Sequence, residues 1–177
     1  IFPHTRFVDI SQDFANMRMI KQKHELALLK RAAHIANRAY MKMLNSFDYK
    51  TEADVKAVLE YEMSKQGASP SFPTIVASGK NAAIPHHTTQ SMKLNKGLCV
   101  IDFGANYKGY CSDCTRTIAI GTPTKEQKVV YNLIKAAQET ALHSVKPGIR
   151  CSELDAIARR TLGSWNKYFI HSLGHGI

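Results

Sequence analysis

Cys99-Val-Ile-Asp-Phe-Gly-Ala-Asn-Tyr-Lys-Gly-Tyr-Cys-Ser-Asp-Cys-Thr-Arg-Thr117 reads as one β-hairpin. Before Asp102 the run Leu98-Cys-Val-Ile101 is apolar and β-branched, and after it Gly-Ala-Asn-Tyr-Lys-Gly gathers turn formers. A second strand follows through Thr115-Arg-Thr-Ile-Ala-Ile120. Pairing symmetric about Tyr107–Lys108 sets Asp102 directly opposite Asp113. Opposed residues share a sheet face, with Cβ atoms roughly 5 Å apart. Like charges so placed repel, and a shared proton, a cation or solvent must hold them. Two carboxylates on one rigid face suit one or two hard or borderline metal ions. The plainer alternative is a solvated pair at a hairpin end. Against it stand the apolar run that Asp102 ends and a second ligand-type motif further on.

That motif is Tyr168-Phe-Ile-His-Ser-Leu-Gly-His-Gly-Ile177. His175 lies between two glycines, so backbone can approach and nothing crowds the imidazole. Imidazole is the commonest nitrogen ligand of first-row metals, although a lone His on an apolar strand is more often a hydrogen-bonded core residue. A third feature, Ser78-Gly-Lys-Asn-Ala-Ala-Ile-Pro-His-His-Thr-Thr-Gln90, follows a strand expected over Phe72–Ala77. Pro85 fixes the backbone before His86. A loop histidine held this way suits proton transfer or a substrate hydrogen bond; the bland alternative is a pair of exposed histidines.

Together these blocks resemble the metallopeptidases of the pita-bread fold, in their proline-specific branch of aminopeptidase P and prolidase. The matching residues are Met17-Arg-Met-Ile-Lys21 opening the first helix, Phe72-Pro-Thr-Ile-Val-Ala-Ser-Gly79, Pro85-His-His87, Asp102-Phe-Gly104, Tyr107–Thr117 and His171-Ser-Leu-Gly-His-Gly176. The resemblance implies an α+β fold of duplicated helix-helix-strand halves around a curved, mainly antiparallel sheet. It implies Asp102 chelating one metal, Asp113 bridging two and His175 binding the other. His86 would contact substrate and pass protons, His171 would position the peptide, and Thr115 would hydrogen-bond a ligand carboxylate. Two divalent ions are expected, Mn²⁺ first, with Co²⁺, Fe²⁺ or Zn²⁺ also compatible. The implied activity is hydrolysis of the Xaa-Pro bond of peptides with proline in second position, by an intact homodimer. Methionine aminopeptidase-like activity and an inactive pita-bread binding module are the rivals.

The family's two Glu ligands fall beyond Gly-His-Gly, and Glu139 and Glu153 lie on helical stretches before it. The expectation is an incomplete catalytic domain over residues 17–177, its second half truncated, preceded by a linker or domain end over 1–16. Such a chain should lack part of the dinuclear site and be unstable alone. Phe7-Val-Asp-Ile10 is a candidate short strand.

The helices are patterned plainly. An apolar stripe through Leu26, Leu29, Ala33, Ala36, Tyr40 and Met43 predicts one over about 21–44. Thr51 caps a second to about Gln66, Thr124-Lys-Glu-Gln127 is a capping box for a third, and Ser152 caps a fourth. Phe169–Ser172 reads as a strand, and Thr51-Glu-x-Asp54 recurring as Ser152-Glu-x-Asp155 hints at duplication. Cys111-Ser-Asp-Cys114 is a Cys-x-x-Cys only formally, since i and i+3 on a strand face opposite ways. All four cysteines are expected reduced, mostly as small buried hydrophobes. The formal charge of +10 comes from 24 Lys+Arg against 14 Asp+Glu. These basic residues are scattered, without a dense tract or interleaved aromatics, so no nucleic-acid partner is expected. No apolar run approaches about 18 residues, so no membrane partner is expected and a cytoplasmic setting is.

Overall fold

The computed structural model describes residues 5–176. The helix α1 (Ser11–Met19) is followed by α2 (Lys23–Asn45) and α3 (Glu52–Ser64). Six strands come next: β1 (Ser69–Pro70), β2 (Ile75–Ser78), β3 (Gly97–Phe103), β4 (Ala105–Tyr107), β5 (Tyr110–Cys111) and β6 (Cys114–Ile120). A hairpin of helices, α4 (Lys125–His143) and α5 (Cys151–Leu162), completes the regular structure apart from short 3₁₀ turns.

The caps explain the helix starts. Gln22 and Glu25 form a capping box on α2, Thr51 and Asp54 one on α3, and Thr124 and Gln127 one on α4. The block Met17–Lys21 therefore spans the end of α1 and its link to α2, rather than opening α2. Ser152 caps nothing: α5 starts at Cys151 after Arg150, without a side-chain cap. Phe7–Ile10, expected as a short strand, has no regular structure, and α1 buries no residue.

Strands β2-β3-β6 form one antiparallel sheet and β1-β4-β5 another. Along β3 the buried positions alternate, with Cys99, Ile101 and Phe103 facing the helices and Leu98, Val100 and Asp102 on the other face. The helix side is the core: Ile35, Ala39 and Met43 of α2 meet Val55, Leu59 and Met63 of α3 over that face. Tyr40 stacks on Phe103 at 5.4 Å between ring centres. Full burial of a side chain such as Phe103 contributes about 2–3 kcal/mol. The core draws nothing from α4 or α5. Helix α4 buries only Ala137 and Ala141, while Val129, Ile134 and Leu142 are exposed. All four cysteines are free, and Cys151 is exposed, contrary to its expected burial. Burial and the nearby Glu52 charge push the Cys99 thiol up to about 12.

Candidate active site

The hairpin register decides where the acidic pair sits. Asp102 pairs with Thr115 and Tyr107 with Tyr110. The chain therefore turns at Lys108-Gly109, not at Tyr107–Lys108. Both turn residues have positive φ, 53° and 83°, the pattern of a type I′ turn, whose twist suits a two-residue hairpin. Asn106 Oδ1 accepts the Gly109 N–H at 3.1 Å. The expected direct opposition of Asp102 and Asp113 is thus corrected to a diagonal. A shift of two residues preserves the sheet face, so the carboxylates remain neighbours.

Thr115 Oγ1 donates to Asp102 Oδ1 at 2.9 Å. Asp102 is half-buried, and burial raises its carboxyl above the ordinary value. The Thr115 hydroxyl opposes that rise, the Asp113 charge adds to it, and His86 acts against it. Asp113 Oδ2 lies 3.3 Å from His175 Nε2. Both residues line a cleft of about 230 Å³ with Ser71, Phe72, Cys111 and Ser112. The Gly176 carbonyl at His175 Nδ1 and then the Asp113 charge raise the imidazole above its usual value. Between the strands, a Cβ on Gly104 would stand 1.9 Å from the Ser112 carbonyl oxygen and 2.2 Å from Ser71 Oγ. Only glycine lets the hairpin close there.

Residues Phe169–Ser172 do not form the expected strand, because side chains of α5 take their backbone groups. Arg159 bonds Asp155 at 2.6 Å and donates to the carbonyls of Phe169 at 2.9 Å and His171 at 2.7 Å. Asp155 Oδ1 accepts the Leu173 N–H at 2.9 Å. The Arg159 hydrogen bond holds the Asp155 carboxyl below the usual range. This clamp carries the segment that delivers His175 to Asp113. His171 is exposed, its ring edge-on to Phe169 at 4.7 Å, and it does not line the cleft.

His86 is exposed on a turn closed by the His87 N–H to the Ile84 carbonyl at 3.3 Å. Pro85 precedes it and its own φ is +54°, the sequence and sign of a type II turn. Behind this turn is a residue the sequence did not single out. Glu52, read only as a helix start, is completely buried. Its Oε1 accepts the Ser78 N–H at 2.8 Å, the Ser78 hydroxyl at 2.9 Å and the Asn81 amide at 3.0 Å. Its Oε2 lies 3.0 Å from His87 Nε2. Burial pushes this carboxyl up, but the hydrogen bonds from Ser78, Asn81 and His87 outweigh it and leave the value below ordinary. The only signal in the sequence was that Asp54 completes the capping box and so frees Glu52 for another task.

Among the described residues, no three or more His, Cys, Asp or Glu side chains lie close enough to cage a cation. What the structure brings together is the Asp113–His175 contact, with Asp102 and His86 near enough to act on each other's charge. Carboxylate plus imidazole is a donor set that fits a divalent ion.

A hairpin presenting two aspartates, with a glycine-flanked histidine at its side, belongs to a known class. Residues 27–177 match metallopeptidase family M24, and the chain belongs to that family. The Xaa-Pro dipeptidase of Pyrococcus horikoshii is 41% identical over 176 residues, covering 97% of this chain and 50% of that protein. The solved prolidase of Pyrococcus furiosus superposes with a TM-score of 0.90 at 40% identity, covering 94% of this chain and 51% of that one. The X-Pro aminopeptidase of Thermotoga maritima gives 0.83 at 39%, covering 89% and 46%. The chain thus spans about half the length of the relatives it matches. The α+β architecture with antiparallel sheets is the pita-bread fold of these peptidases. Among the described residues no helix is long and apolar enough to cross a membrane.

Proposed function

We propose that this chain supplies part of the catalytic domain of a metal-dependent peptidase that hydrolyses the bond between an N-terminal residue and a following proline. The observation that carries the proposal is the Asp113–His175 contact at 3.3 Å beside Asp102, in a chain 41% identical to an Xaa-Pro dipeptidase over 97% of its length. Asp102 and Asp113 would offer carboxylate oxygens and His175 a ring nitrogen to two divalent ions, Mn²⁺ first. When bound, such ions lower the pKa of a water and polarise a scissile carbonyl.

The other residues act around that centre. Thr115, bonded to Asp102 Oδ1, orients one carboxylate so that its second oxygen is free. His86, exposed at the turn tip, donates to the peptide near the reacting bond and can pass a proton there. His171 would steady the peptide backbone, which requires its ring to swing away from Phe169. Likeness to the Xaa-Pro dipeptidase of Pyrococcus horikoshii supports proline in second position. A homodimer and a cytoplasmic setting belong to the same proposal; four free thiols accord with a reducing compartment.

The test is hydrolysis of Xaa-Pro dipeptides, longer Xaa-Pro peptides and Met-Ala peptides by the natural full-length chain carrying this sequence. Metal content is measured on the same sample. Selective Xaa-Pro cleavage, lost together with bound metal in Asp102→Ala, is the expected result. Preference for Met-Ala would assign methionine aminopeptidase activity, and metal-free binding without turnover would assign a binding module.

A further inference from the structure

His86 has a φ of +54°, a left-handed conformation that is strained for a residue with a Cβ. Something must hold it there. The loop around it is tied down on both sides to one carboxylate: Asn81 Nδ2 and His87 Nε2 each lie 3.0 Å from Glu52. Farther along, Thr89 Oγ1 accepts the Val76 N–H at 2.7 Å and returns the chain to β2. Glu52 is a fixed anchor. It opens α3, where the helix dipole favours negative charge, and the Ser78 N–H and hydroxyl of β2 hold its Oε1. Consecutive histidines therefore have opposite fates. The His87 side chain is 9% exposed against a Glu52 side chain at 0%, while His86 is exposed on the side where its charge reaches Asp102.

We infer that Glu52 and His87 are a positioning couple that holds the Pro85–His87 turn so that His86 faces the peptide. The inference rests on the proposed peptide contact of His86. Neither member of the couple hydrogen-bonds or ion-pairs with Asp102, Asp113 or His175; the couple acts through the backbone of the turn. The hydrogen bond Glu52–His87 fixes the rotation of the turn, and with it the positive φ of His86, which lies near enough to Asp102 for its charge to act there. Loss of the bond lets the turn relax and the ring leave.

The experiment is a double-mutant cycle in the natural full-length chain loaded with Mn²⁺ and assayed on an Xaa-Pro dipeptide. His87→Leu removes the bond while keeping much of the volume. It is expected to lower kcat/KM about tenfold or more with bound metal unchanged. His87→Gln, which retains an N–H toward Glu52, should recover most of the loss. In a His86→Ala background, His87→Leu should have no further effect. Losses that multiply, or His87→Leu as active as wild type, would overturn the couple. If His87→Leu does not fold, Glu52→Gln takes its place in the cycle. A second readout needs no turnover: the His86 ring resonances should shift in His87→Leu. Should the wild-type enzyme cleave no Xaa-Pro peptide, the peptidase reading falls, and those resonances decide the couple alone, unmoved signals refuting it.

Discussion

Asp102 and Glu52 are both carboxylates removed from bulk water, and their partners send them in opposite directions. Burial holds the proton of Asp102 more tightly than usual and the Asp113 charge adds to this, because its one hydroxyl donor, Thr115, offsets only part of the cost. Glu52 receives Ser78, Asn81 and His87, so its charged form is favoured despite burial. Removing Glu52 would leave those donors buried without an acceptor. Glu52→Ala is expected to destabilise the fold by about 3 kcal/mol, read as a lowered urea midpoint with unchanged slope. Because the folded pKa of Glu52 lies below its unfolded value, its contribution is complete above the unfolded pKa. It is lost as pH falls through the folded one. Stability of wild type should therefore drop across the acid range more steeply than that of Glu52→Gln, measured by urea titration at successive pH values.

At the scale of elements, the hairpin and the clamp each set one half of the site. Gly104 lets β3 and β6 come together where the Ser112 carbonyl would lie 1.9 Å from a Cβ. Gly104→Ala should cost about 3 kcal/mol or more, because the nearer obstructing atom is the backbone carbonyl of buried Ser112, which cannot swing aside as a side chain can. Circular dichroism melting checks it. At the hairpin tip, Tyr110 donates to Glu25 Oε1 at 3.1 Å and the Arg31 guanidinium stands 5.8 Å from the Tyr107 ring centre. The Tyr-Lys-Gly-Tyr run is thus also the hairpin's attachment to α2. The clamp of Asp155 and Arg159 replaces strand pairing for the segment leading to His175. Arg159→Ala should weaken metal binding by the full-length chain roughly tenfold, read by titration calorimetry, with Asp102 untouched. Asp155 is held below the usual carboxylate range. The clamp should therefore persist above the unfolded pKa of Asp155 and open as pH falls through the folded one.

Across the whole molecule, the buried core lies between α2, α3 and the strands, and α4–α5 stand outside it. The outer side of α4 leaves Ile134 57% and Leu142 67% exposed. An apolar stripe of that kind drives association in water. The 177-residue chain by itself is expected to self-associate with rising concentration and to bind an apolar dye. Ile134→Glu with Leu142→Lys should suppress both, as measured by light scattering and dye fluorescence.

Local features were legible in the chain itself. The helix starts at Thr51 and Thr124 and the apolar strand that ends at Asp102 depend on residues within one turn or one strand, so their order in sequence determines them. Of the stripe expected on α2, Ala36, Tyr40 and Met43 are buried, whereas Leu26 and Ala33 are exposed and the buried face runs through Ala32, Ile35 and Ala39 instead. Membership of family M24 was legible in the same way, from the order of short blocks along residues 27–177. Tertiary structure decided the rest. The hairpin register turned on which pair of residues would take positive φ, a choice between neighbours that turn formers alone left open. The burial of Glu52 under Ser78, Asn81 and His87 depends on contacts across more than twenty residues of chain. The grip of Arg159 on Phe169 and His171 spans only 10 and 12 residues, yet it too awaits the fold, since a charged side chain on a helix is ordinarily solvated until backbone carbonyls are brought to it. Local periodicity encodes which groups are present, and desolvation by distant segments determines what they do.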